Sequence, residues 1–212
     1  YRDARPALVS LLENGERREL SYADLYAQVA ALASSLRNQG VVAGDRVAGF
    51  LPNVAEAVIA MLATTSIGAV WSSCSPDFGI NGVVDRFGQI EPKVLFAADG
   101  YYYNGKTCDS LQRLAEIVRQ IRSIEKVVVV PLVNSRRALQ GIRDGVLFND
   151  YLDERAAPLR FEQLPFDHPL YIMYSSGTTG VPKCIVHGAG GTLLQHLKEH
   201  RLLVDLGRDD VF

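Results

Sequence analysis

Four short stretches of this sequence are apolar at nearly every consecutive position: Val47-Ala48-Gly49-Phe50-Leu51, Ala69-Val70-Trp71-Ser72, Val94-Leu95-Phe96-Ala97 and Val127-Val128-Val129-Val130. Side chains alternate across a strand, so a strand apolar at successive positions needs cover on both faces. Segments of helical period fall between these stretches. Strands buried on both sides and separated by helices restrict the chain to an α/β fold, a mainly parallel sheet flanked by helices. The right-handed crossover rule then favours a doubly wound layout. In such sheets ligands sit beyond the carboxyl ends of the strands, so the loops following strands are where chemistry is expected.

The helices carry their own punctuation. Ser21 and Asp24 have the spacing of a capping box, and Tyr22, Leu25, Tyr26, Val29, Leu32, Ala33 and Leu36 recur on one helical face until Gly40. Asn53 with Glu56 predicts the start of a second helix running to Gly68. A third spans Ile80 to Ile90 and closes at Glu91-Pro92. A fourth lies near Ser110–Ile121. Regularity weakens between Pro131 and Pro169, where Pro158, Pro165 and scattered charge leave one short helical candidate near Phe148–Leu152. A strand at Leu170–Tyr174, a returning strand at Lys183–His187 and a helix at Thr192–Leu206 follow. Asp210-Val211-Phe212 reads as entry into a further strand, so the chain is expected to stop inside a domain. The missing initiator Met suggests an internal piece of a longer protein.

Charge narrows the range of partners. Lys and Arg number 22 against 24 Asp and Glu, with no dense basic cluster, which argues against nucleic acid as a partner. Cys74, Cys108 and Cys184 are far apart and form no CxxC, a pattern suited to a reducing cytoplasm. The opening Tyr1–Pro6 has no apolar core of a signal peptide, and no apolar run approaches the roughly 18 residues of a membrane helix. No membrane partner is expected.

The most informative segment follows the strand Leu170–Tyr174: Ser175-Ser176-Gly177-Thr178-Thr179-Gly180-Val181-Pro182-Lys183. Four hydroxyls, two glycines and a lysine at a strand end suit the binding of phosphate oxygens. Glycine lets backbone N–H groups approach an oxyanion, hydroxyls donate, and lysine adds a point charge. It is not a Walker A loop, since GTTGVPK lacks the GxxxxGK[ST] spacing. From the residues alone, a polar turn joining two strands remains an equal alternative.

Tyr174–Lys183 resembles the phosphate-loop signature of the adenylate-forming superfamily of acyl-CoA synthetases, luciferases and peptide-synthetase adenylation domains. Leu20–Leu25, Gly44-Asp45-Arg46-Val47 with Leu51-Pro52-Asn53, and Ser66–Val70 resemble earlier segments of that superfamily in the same order. Trp71–Gly79, Asp85-Arg86-Phe87, Gln89–Lys93, Tyr103–Lys106 and Pro182–Leu193 are similar to the branch that ligates acetoacetate to coenzyme A; Cys184 stands where many relatives have glycine. The acetyl- and propionyl-CoA synthetase branches are neighbours.

The resemblance implies a two-step acid–thiol ligase using ATP, Mg2+, coenzyme A and a short-chain keto acid. Residues 1–212 would be the first part of its large N-terminal domain: a regular portion 1–130, an excursion 131–169, and the loop with its following helix at 170–212. Ser175, Ser176, Gly177, Thr178, Thr179, Gly180 and Lys183 would contact the ATP phosphates. Catalytic residues and a C-terminal lid domain are expected beyond Phe212, leaving the fragment inactive alone. Acetate, propionate or another short-chain acid is the alternative substrate; a noncatalytic nucleotide-binding module is the alternative class.

Other features have ordinary explanations. His196-Leu197-Lys198-Glu199-His200 fits HxxEH, but a zinc site needs a third ligand and few residues follow, so a polar helix face is expected and no metal site. His187 reads as a structural histidine satisfied by the turn at Gly188–Gly191. Trp71 reads as core, and Tyr101-Tyr102-Tyr103 lacks the basic groove of a stacking platform.

Overall fold

The computed structural model describes residues 2–134, 139–153, 155, 158–175 and 180–212. The chain opens with an antiparallel hairpin, β1 (Pro6–Leu11) and β2 (Arg17–Ser21), and continues through α1 (Tyr22–Asn38), β3 (Arg46–Phe50), α2 (Ala55–Ser66), β4 (Val70–Cys74), α3 (Ile80–Ile90) and β5 (Val94–Ala98). A second hairpin, β6 (Gly100–Tyr103) and β7 (Lys106–Asp109), precedes α4 (Leu111–Gln120) and β8 (Lys126–Val130). Then come β9 (Gly145–Leu147), α5 (Phe148–Tyr151), β10 (Pro169–Ser175), β11 (Lys183–Gly188) and α6 (Ala189–Lys198), which passes into a π-helical turn at Glu199–Leu203.

Seven strands form one sheet in the order β11-β10-β4-β3-β5-β8-β9, parallel throughout except for the β10–β11 pair. The fold is α/β and doubly wound: β4 lies on one side of β3 and β5 on the other. Strand alternation divides the core in two. Val47, Val94, Phe96, Val128 and Val130 face Val29, Leu32 and Leu36 of α1 and Ile59 and Ala63 of α2. Ala48, Phe50, Leu95, Ala97, Val127 and Val129 face Val83 and Phe87 of α3 and Leu114 and Ile117 of α4. Each fully buried Val, Leu, Ile or Phe side chain among them contributes about 1.5–3 kcal/mol. At its centre Phe96 meets the rings of Trp71, Phe148 and Tyr151 at centroid distances of 6.4, 6.4 and 6.5 Å. Trp71 is core, as expected, and lies so close over β3 that a Cβ on Gly49 would stand 2.7 Å from its ring.

Local signals mostly give the expected elements. Ser21 Oγ accepts the Asp24 N–H at 3.1 Å and caps α1. α3 ends at Glu91, in the left-handed region at φ 49°, directly before Pro92. The start of α2 differs from expectation: its N-cap is Val54, with no side-chain cap, because the chain first turns through a Val54 N–H to Pro52 O bond. Both hairpins are additional to the expected elements. In β6–β7 the Tyr103–Lys106 pair is closed by Asn104 and Gly105 at φ 50° and 71°, the two-residue turn that requires positive φ twice.

Within 131–169, α5 lies where a short helix was expected, but β9 also joins the sheet beside β8. The segment straps α1 and α2: Ser35 Oγ donates to Tyr151 O at 2.5 Å, Ser34 Oγ to Asp153 at 2.6 Å and His168 Nε2 to Gly68 O at 2.8 Å. Residues 204–212 contain no strand, unlike the expected entry at 210–212. Among the described residues no helix is long and apolar enough to cross a membrane.

Candidate functional site

β10 runs parallel to β4, with Tyr171 opposite Trp71 and Ile172 opposite Ser72, so its carboxyl end lies at the same sheet edge as those of β3, β4 and β5. The segment singled out in the sequence leaves from that edge. Ser175 closes β10 and is paired with Lys183, the first residue of β11. The two ends of the segment are therefore fixed opposite one another across an antiparallel ladder. Ser176, Gly177, Thr178 and Thr179 lie outside the described residues; Ser175, Gly180 and Lys183 are within them.

Gly180 has φ +136°, a conformation L side chains rarely adopt, although a Cβ there would meet no neighbour within 4 Å. The requirement for glycine is thus conformational, not steric. Lys183 is exposed and has no ion-pair partner among the described residues. An unpaired ammonium at a strand end, beside a hydroxyl and a permissive glycine, can hold an oxyanion without first breaking a salt bridge.

Two residues of α3 meet the chain near the two ends of this segment. Arg86 has its guanidinium 4.5 Å from the Phe78 ring centroid and 5.8 Å from that of Tyr174, and donates from Nη1 to Gly82 O at 2.7 Å. Gln89 donates from Nε2 to Pro182 O at 2.9 Å, and the Cys184 thiol lies 3.7 Å from its Oε1. Both residues are legible in the sequence as one face of a helix, three positions apart. Tyr174 and Pro182, which they meet, stand about 90 positions later and are brought alongside only by the crossover of β10 to β4.

A cleft of about 710 Å³ reaches Tyr174, the residue before the segment, and is lined by Trp71–Ser75, Leu170–Tyr174, Met61, Phe78, Arg86, Thr192 and His196. Burial pushes the Cys74 thiol up to about 12, only partly offset by the Arg86 charge, so this thiol is neutral and a poor nucleophile. Burial likewise raises the Tyr174 phenol, whose oxygen lies 3.1 Å from Ser72 Oγ.

The remaining histidines make no comparable constellation. His187 is opposite Tyr171, with ring centroids 5.5 Å apart. His196 and His200 stand 5.9 Å apart by ring centroid, and the helix changes to π geometry at Glu199 between them. Among the described residues no group of three or more His, Cys, Asp or Glu side chains could hold a metal ion.

Known proteins are similar to this chain. An acetoacetyl-CoA synthetase of Macaca fascicularis is 51% identical over 199 residues, 91% of this chain and 30% of that protein. An acetoacetyl-coenzyme A synthetase of Rhizobium meliloti (strain 1021) is 52% identical over 197 residues, 92% of this chain and 30% of that protein. The solved structure of acetoacetyl-CoA synthetase from Streptomyces lividans superposes with a TM-score of 0.91 at 47% identity, covering 97% of this chain and 31% of that one. The chain thus spans about a third of the length of the relatives it matches. The match to the AMP-binding enzyme family extends over residues 1–212, and the chain belongs to that family.

Proposed function

We propose that this chain is the phosphate-binding part of an acid–thiol ligase, and that the intact enzyme joins acetoacetate to coenzyme A at the expense of ATP. The supporting observation is the position of Ser175 and Lys183, paired with each other at the carboxyl edge of the sheet, with no ion-pair partner for Lys183 among the described residues. The names of the relatives supply the choice of acid.

In the first step an acid carboxylate oxygen attacks the α-phosphorus of ATP. The bond from that phosphorus to the bridging oxygen breaks, and pyrophosphate leaves with the electron pair. In the second, the sulfur of coenzyme A attacks the acyl carbon, AMP leaves, and the thiol proton passes to solvent or a base. The obstacle to the first step is electrostatic, since an anion approaches a polyanion. Lys183, the hydroxyls of Ser175, Ser176, Thr178 and Thr179, and the backbone N–H groups freed by Gly177 and Gly180 would draw charge off the departing pyrophosphate. One such preorganised donor is worth about 10²–10³ in rate. Mg2+ would accompany the ATP and neutralise phosphate charge. We place residues 1–212 in the first part of a larger N-terminal domain, with the acyl pocket and the lid domain outside it.

ATP–pyrophosphate exchange by the full-length parent protein, run with acetoacetate, acetate, propionate, butyrate and no acid, tests this reading. Exchange that strongly favours acetoacetate is expected. Preference for another acid would retain the ligase and replace the substrate; ATP binding without acid-dependent exchange would leave a noncatalytic nucleotide-binding module.

A further inference from the structure

We infer that Gln89 of α3 is a positioning residue for the phosphate-binding segment, holding its outgoing limb so that Lys183 is presented at the sheet edge. This inference rests on the function proposed above. The Gln89 amide is used at both ends: Nε2 donates to Asp85 O at 2.5 Å and to Pro182 O at 2.9 Å, while Oε1 faces the Cys184 thiol at 3.7 Å. Turning the amide over would set its oxygen against two carbonyl oxygens, so its orientation is determined by its partners. Pro182 O and Lys183 N belong to one planar peptide unit. A donor that fixes the carbonyl therefore fixes the direction in which the chain enters Lys183.

Arg86, on the same face of the helix one turn earlier, lies against Tyr174 on the ingoing limb. α3 thus touches the chain on both sides of residues 175–181. Gln89 itself is exposed and adds nothing to the core. Its contacts with Pro182 and Cys184 reach across more than 90 positions of sequence, whereas Gln120 and Gln195 each bond a glutamate only four positions away.

The test uses the full-length parent protein with Gln89→Ala and Gln89→Glu. ATP affinity is measured by titration calorimetry without acid, alongside steady-state kinetics and thermal melting. Glu has the shape of Gln but turns an acceptor toward the Pro182 carbonyl. Both variants are expected to raise the Kd and KM for ATP about three- to tenfold, the size of one or two net hydrogen bonds. The KM for the acid and the melting temperature should stay at their wild-type values. Unchanged ATP affinity in both variants would overturn the inference, as would a melting temperature lowered like that of a core truncation. A wild-type protein that itself fails to bind ATP would remove the underlying function and this inference together, whereas wild-type binding with indifferent variants removes the inference alone.

Discussion

The sheet body between β3 and β8 and the arm formed by β11 and α6 are both rich in aliphatic side chains, yet they dispose of them in opposite ways. Val47, Phe96, Val128 and their neighbours are sealed between helices on two faces. In the arm Ile185, Val186, Leu193, Leu194 and Leu197 are exposed, Leu193 to 60%. The first pattern is satisfied by residues nearby in sequence. The second has the spacing of a buried element without a cover among the described residues, in a chain that spans 30% of its relatives. An apolar pattern records a requirement for burial, not where the burying atoms come from.

The sharpest way to break the comparison is at Asp99, between β5 and β6. Its buried carboxylate accepts the N–H groups of Leu132, Val133 and Asn134 at 2.8, 3.0 and 2.9 Å, tying the exit of β8 to the end of β5. Asp99→Ala would remove the buried acceptor that these three N–H groups share and is expected to cost about 3–5 kcal/mol in denaturant unfolding. A cost below 1 kcal/mol would mean that the edge holding the site is not organised by the body. Lys183→Ala should do the reverse in the full-length parent: turnover falls about 10²–10³-fold, while stability moves by no more than about 0.5 kcal/mol.

Alkaline pH probes the buried weak acids. Burial raises Cys74 to about 12 and lifts the phenols of Tyr151 and Tyr174 as well. An unfolded chain releases the Cys74 proton near its ordinary value of 9.0, whereas the folded one keeps it until about 12. Above pH 9 the unfolded state therefore binds fewer protons, and stability falls as pH rises through the window between those values. Urea midpoints from pH 8 to 11 should decline, and Cys74→Ala should shallow the decline. A flat profile would show that these groups are not sealed.

The same contrast explains what could be read before folding. β3, β4, β5 and β8 are legible because both faces are apolar, a pattern few other elements produce. β1 and β2 mix Leu and Val with Arg and Glu in a small exposed hairpin, and β9 is three residues long, too short for any period to register. The β6–β7 turn was written in Asn104-Gly105, but three successive tyrosines masked the alternation around it. At the site, Ser175, Gly180 and Lys183 are marked by residue type and by following a strand. Gln89 and Arg86 are not, because their role depends on a strand order that places β10 beside β4.

The smallest expected effect belongs to the arm. Leu197 is 50% exposed on α6, so Leu197→Ala removes little apolar area from contact within these 212 residues. In the fragment expressed alone it should change stability by no more than about 0.5 kcal/mol. In the full-length parent, if the arm's apolar face is covered by chain outside residues 1–212, the same substitution opens a cavity and should cost about 2–5 kcal/mol. Parallel denaturation of fragment and parent gives the difference directly. Equal small costs in both would show that α6 keeps an exposed apolar face in the whole protein, and the contrast between body and arm would then belong to the full-length protein itself, not to the length of chain considered.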